Sequence, residues 1–133
     1  MRVVIAGSRD MSDSQFPIML ESMHYVIAEL GWSVTEVIWG GASGADTLGK
    51  RWASIHGVPD HLIEADWEYH RSVGNVRAAG PVRNMAMAVY ASEGDGGGAL
   101  VAFPRSGSSR GTMNMISCAK KVGLQVHIVE LEF

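Results

Sequence analysis

A single cysteine, Cys118, is the only thiol in 133 residues, so no internal disulfide can brace the fold. Its place in a helical pattern predicts a small packing side chain. Lys and Arg number 11 against 14 Asp and Glu, and no run of basic residues occurs. Proteins that hold DNA chiefly by neutralising phosphates usually carry a basic stripe, so nucleic acid is disfavoured as the main partner. No apolar run approaches the ~20 residues needed to span a bilayer, and no membrane partner is expected. The first residues lead straight into a strand pattern without an apolar leader, which predicts a cytoplasmic protein. His24, His56, His61, His70 and His127 lack metal-ligand spacing, and neither a metal nor another cofactor is expected. There is no Gly-x-x-x-x-Gly-Lys-Ser/Thr loop and no Gly-x-Ser-x-Gly elbow. No acidic residue ends the second strand pattern to hold a ribose. Together these absences exclude a P-loop ATPase, a serine hydrolase of that type and an ordinary NAD-dependent dehydrogenase.

What the chain does have is an alternation of apolar runs and helical patterns, the signature of βα units and a parallel sheet. Strands are expected at about 2–6, 34–39, 61–63, 99–103 and 125–129. Helices are expected at about 14–30, 45–56, 81–91 and 112–122, each closing at or near a glycine. The inward stripe of the first helix reads as Phe16, Met19, Leu20, Met23, Ile27 and Leu30. That of the second reads as Ala45, Leu48, Trp52 and Ile55, and that of the third as Val82, Met85, Ala86 and Val89. The stretch from Glu64 to Ala79 is mixed and aperiodic, as functional loops often are. One α/β domain over residues 1–133 follows, doubly wound, with about five parallel strands in the order 3-2-1-4-5 and helices on both faces. In such sheets ligands bind beyond the carboxyl ends of the strands, where the order reverses.

Three glycine-hinged turns fall at strand ends on that rim. The first is Gly7-Ser8-Arg9. The second runs through Gly40, Gly41, Ala42, Ser43, Gly44, Ala45 and Asp46. The third runs through Ser106, Gly107, Ser108, Ser109, Arg110, Gly111 and Thr112. A strand that stops at a glycine turn leaves backbone N–H groups beside the next helix start, a natural anion site. Arg9 can hold an anionic or planar group, and Ser43 can donate to a phosphate or ribose. Asp46 either compensates the helix dipole or meets ribose hydroxyls and developing charge. Asp66 and Trp67 lie in the long loop, where the indole can stack on a base. Arg83 and Asn84 open the third helix, and an arginine at a helix start points to a held anion. Asp46, Asp66 and Arg83 are the candidates for any catalytic role.

These motifs, taken in order with Ala65-Asp66-Trp67, Ala79-Gly80-Pro81-x-Arg83-Asn84-x-Ala86-Met87 and Ala102-Phe103-Pro104, resemble the YspA-like family of the SLOG superfamily. The resemblance covers almost the whole chain. It implies a Rossmann-like fold and a nucleotide-derived, ADP-ribose-like ligand, with a homodimer or larger homo-oligomer suggested by relatives. The superfamily includes Lonely Guy phosphoribohydrolases, which cleave N-glycosidic bonds, and the DNA-processing protein DprA. In the phosphoribohydrolases a Glu follows the glycine loop; here Met115 stands at that position, and Asn84 replaces a Lys. A methionine cannot abstract a proton or stabilise an oxocarbenium-like charge. A binding role as sensor, carrier or sink is therefore the first expectation, a hydrolase the alternative, and DprA-like nucleic-acid binding the weakest.

Overall fold

The computed structural model describes residues 1–106 and 110–132. Five strands form one parallel sheet in the order β3-β2-β1-β4-β5, as the alternation predicts. They are β1 (Arg2–Gly7), β2 (Glu36–Trp39), β3 (Asp60–Leu62), β4 (Gly98–Phe103) and β5 (Gln125–Ile128). Among the described residues the helices are α1 (Phe16–Ala28), α2 (Ala45–Ile55), α3 (Trp67–Ser72), α4 (Ala79–Ser92) and α5 (Arg110–Lys121). Strands β1 and β4 lie side by side at the centre, in register from Arg2 opposite Gly98 to Gly7 opposite Phe103. Both are covered on both faces, which explains why they read as unbroken apolar runs.

Strand alternation divides the core into two layers. Val3, Ile5, Val37, Val101 and Phe103 face α1 and α2, against Met19, Met23, Val26, Leu48 and Trp52. Val4, Ala6, Ile38, Leu100 and Ala102 face α4 and α5, against Met87, Ala88, Met115, Ile116 and Ala119. Cys118 is buried in this second layer as a free thiol, and burial pushes its pKa up. Among the described residues no helix is long and apolar enough to cross a membrane.

The helix phases differ from the sequence expectation. In α1, Val26 and Ser22 are buried while Leu20 and Ile27 are exposed, as is Leu30 beyond the helix end. In α2, Ala53 is buried and Ile55 exposed. In α4 the inward face is Ala79, Asn84, Met87, Ala88 and Ala91, leaving Val82 and Val89 outside. The phase is set by the residues that pack on the sheet, Met87, Ala88 and Ala91 in α4, and it leaves Ala86 exposed with Val82 and Val89. The stretch from Glu64 to Ala79 contains α3 and a 3-10 turn, Val76–Ala78.

The rim of the sheet is braced by hydrogen bonds between the turns. Ser8 donates its N–H to the Phe103 carbonyl at 2.9 Å, and its own carbonyl accepts from Ala45 N–H at 3.1 Å. The chain before α2 therefore runs hard against the end of β1. Gly44 has φ +76°, and a Cβ there would stand 2.2 Å from the Ser8 carbonyl oxygen. Gly31 shares the positive φ, at +72°, but a Cβ there would meet nothing. Gly31→Ala should thus cost about 1 kcal/mol, and Gly44→Ala about 3 kcal/mol or more. Urea denaturation of the two variants checks this, and equal losses would refute the collision at Gly44.

Candidate functional site

A cavity of about 820 Å³ opens beyond the carboxyl ends of β1 and β4, where the strand order reverses. Its walls come from the turn after β1, the Ala42 turn, α3, and the starts of α4 and α5. The floor is apolar, with Ala6, Met87 and Met115 among its lining. Four arginines line it: Arg9, Arg77, Arg83 and Arg110. Two carboxylates oppose them, Asp10 and Asp46, and Asp10 is already paired with Arg105 at 2.7 Å. A protein of net charge −3 thus gathers positive charge at one concave place.

Arg83 is held from two sides. Its Nη1 donates to the Gly40 carbonyl at 2.5 Å, and its Nε donates to Asn84 Oδ1 at 3.0 Å. Asn84 is buried and donates in turn through Nδ2 to Asn114 Oδ1 at 2.9 Å and to the Gly111 carbonyl at 3.4 Å. This chain of bonds ties the start of α4 to the start of α5. Gly40 must be glycine for the arginine to seat there, because a Cβ would stand within 2.4 Å of Nη1. Burial pulls the Arg83 pKa down, the Asp46 charge opposes that, and the Arg9 charge adds to it.

Asp46 is 5% exposed and accepts the Gly40 N–H through Oδ2 at 2.9 Å. Burial raises its pKa to about 6, against the opposing pull of that N–H, of Arg83, of the Ala42 backbone and of Arg9. The Gly40 residue is therefore gripped on both sides, its N–H by a carboxylate and its carbonyl by a guanidinium.

The residues expected from the sequence do not all meet at the cavity. Gly7, Ser8, Arg9, Ala42, Asp46, Trp67, Arg83, Asn84, Gly111 and Thr112 line the cavity together. Gly40 supports it from behind through Arg83 and Asp46. Gly41 instead faces Leu62 and Glu64, and Ser43 and Gly44 line a separate shallow groove. Asp66 is not among the lining residues; its Oδ1 caps α3 by accepting from Tyr69 N–H at 3.0 Å. Ser106 is exposed, and Gly107, with Ser108 and Ser109, lies outside the described residues.

One physical expectation needs correction. The first two turns do not present all their N–H groups to a ligand, because several are spent on the fold. Ser8 N–H goes to Phe103, Gly40 N–H to Asp46, and Asp10 N–H to Ser8 Oγ at 3.1 Å. Positive charge at the cavity comes chiefly from guanidinium groups. Arg77 and Asn114 escaped sequence reading. Arg77 lies in the aperiodic stretch, and the α5 phase that turns Asn114 toward α4 depends on packing.

Because the folded protein holds the Asp46 proton more tightly than the unfolded chain, this group's contribution to stability is full below the ordinary pKa of 3.8 and is lost as pH rises through about 6. Asp46→Asn removes the titration. Relative to wild type it should gain on the order of 3 kcal/mol between pH 4 and pH 7. Urea denaturation of both proteins across that range tests this, and a pH-independent difference would contradict it.

Comparison with known proteins agrees with this architecture. Residues 1–70 match the family model described as YspA, cpYpsA-related SLOG family. The chain is also similar to the Gene 61 protein of Mycobacterium phage D29, at 33% identity over 132 residues, spanning 94% of this chain and 93% of that protein. No solved structure matches significantly. The chain belongs to the YspA, cpYpsA-related SLOG family.

Proposed function

We propose that the arginine-lined cavity binds a phosphate-bearing, nucleotide-derived ligand, of the ADP-ribose-like class, and that the protein acts as sensor, carrier or sink for it. The observation that carries this reading is the convergence of Arg9, Arg77, Arg83 and Arg110 on one cavity at the sheet's switch point. Guanidinium groups match phosphate geometry with paired donors. Trp67 sits 45% exposed at the same cavity, with its ring available to stack on a base. The volume of about 820 Å³ is within the range of small-molecule sites. Family membership points the same way, toward nucleotide-related binding or processing.

Binding is favoured over bond cleavage by the residue at the cavity floor. Met115 is 1% exposed and lines the cavity at the position where the phosphoribohydrolases carry their Glu. A thioether offers no acid or base. The hydrolase reading keeps one supporting observation, the cavity-lining Asp46 with its carboxyl at about 6. Yet Asp46 holds the Gly40 N–H, which is the work of a positioning group.

Arg83→Ala removes one charge-assisted donor worth about 1.5–3 kcal/mol, so nucleotide affinity should fall roughly 10- to 150-fold. Isothermal titration with AMP, ADP and GDP reads this, with circular dichroism as the check on folding. Unchanged affinity in a folded variant would remove Arg83 from the site. The same nucleotides recovered intact after incubation fit a binder; released base or phosphate would favour the hydrolase.

A further inference from the structure

We propose that residues 66–78, with α3 among them, form a lid that a phosphate-bearing ligand draws closed over the cavity through Arg77 and Trp67. The inference rests on the phosphate reading of that cavity and adds a ligand-driven movement to it.

The segment is tied to the rest of the chain at its ends. Before it, Ile63 donates its N–H to the Trp39 carbonyl at 3.0 Å. After it, Ala79 is buried at the start of α4. Between these two anchors no residue from 64 to 78 is buried. Helices α1, α2, α4 and α5 each bury at least five residues, and α3 buries none. Among the described residues, 66–75 make no ion pair, and their hydrogen bonds stay within 66–78. Those internal bonds make the segment one body. Asp66 Oδ1 accepts from Tyr69 N–H at 3.0 Å, and the His70 carbonyl accepts from Asn75 N–H at 2.8 Å. A helix of six residues has little stability of its own without packing. A segment with so few buried contacts opens locally at small cost.

This loosely held body carries what a ligand needs to pull it inward. A ligand shifts an equilibrium between two forms only through interactions that differ between them. Arg77 lines the cavity and has no carboxylate or carbonyl partner among the described residues, so a phosphate held by Arg83 and Arg9 would be its first. Trp67 lines the same cavity from α3 and offers its ring face to a base. Tyr69 and Val73 are each 57% exposed, and Val76 is exposed beside them. Closure that covers even part of this apolar surface against ligand and rim adds to the preference for the closed form. The water excluded by the same movement strengthens the bonds between arginines and phosphate.

Hydrogen exchange read by mass spectrometry tests the lid in two steps. In the free protein, the amides of residues 69–75 should exchange at least about tenfold faster than those of α4. Exchange as slow as in α4 would overturn the proposal, because the segment would already be docked. Saturating ADP should then slow residues 69–75 by about tenfold or more, with α1 on the other face of the sheet as the baseline for general stabilisation. The double variant Trp67→Ala/Arg77→Ala changes two exposed side chains and should fold normally. At ADP saturation, checked by isothermal titration, it should leave residues 69–75 within about twofold of their ligand-free rates. ADP bound to wild type without slowing of 69–75, or slowing that survives the double variant in full, would overturn the lid and leave the phosphate cavity standing. No binding of ADP or of inorganic pyrophosphate would overturn the phosphate reading and the lid together.

Discussion

The site depends on how the backbone of one residue, Gly40, is held. Its N–H is given to the buried Asp46 carboxylate and its carbonyl to the Arg83 guanidinium. Two opposite charges that would each be costly to bury alone are joined through a glycine instead of meeting directly. The arrangement fixes the turn after β2, the start of α2 and the start of α4 relative to one another. Asp46 carries the strain of this arrangement, since burial raises its pKa to about 6. A neutral side chain would fold at less electrostatic cost. The carboxylate earns its place by setting Arg83 at the cavity wall, where function is proposed.

From that clamp the rest follows by contact. Arg83 leans on Asn84, Asn84 on Asn114 and Gly111, and so the beginning of α5 is positioned from α4. Across the sheet, Ser8 bonds both Phe103 and Ala45, locking the ends of β1, β4 and α2. The rim is thus built of short-range backbone bonds, with side-chain cations set on top of it. A rim braced in this way is preorganised, the condition under which a ligand would bind with little ordering cost. Met87 and Met115 give the cavity an apolar floor, and Asp46 is its buried carboxyl.

Much of this was legible in the sequence, and the reasons are specific. The strand order was readable because β1 and β4 are continuous apolar runs and each helix ends near a glycine. The position of the rim followed from topology alone. Helix phase was harder. In α4 the contact face is made of alanines and Met87, and a reading that sends the largest β-branched side chains inward selects Val82 and Val89, which lie outside. Asp66 looked like part of the pocket because it neighbours Trp67, but its side chain is occupied in capping α3. Arg77 carries no periodic or motif signal, and only the folding of the 64–79 stretch brings it to the cavity. The role of Gly40 as a seat for a guanidinium could not be read from a glycine-rich turn, since the partner is 43 residues away.

The central claim is that this cavity recognises phosphate through arginine. Native mass spectrometry of the purified protein with a mixture of nucleosides, nucleoside mono- and diphosphates and ADP-ribose tests it most directly. The account predicts that phosphate-bearing molecules are retained in a one-to-one complex and that the matching nucleosides are not. Retention of nucleosides as readily as nucleotides, or of nothing at all, would contradict it.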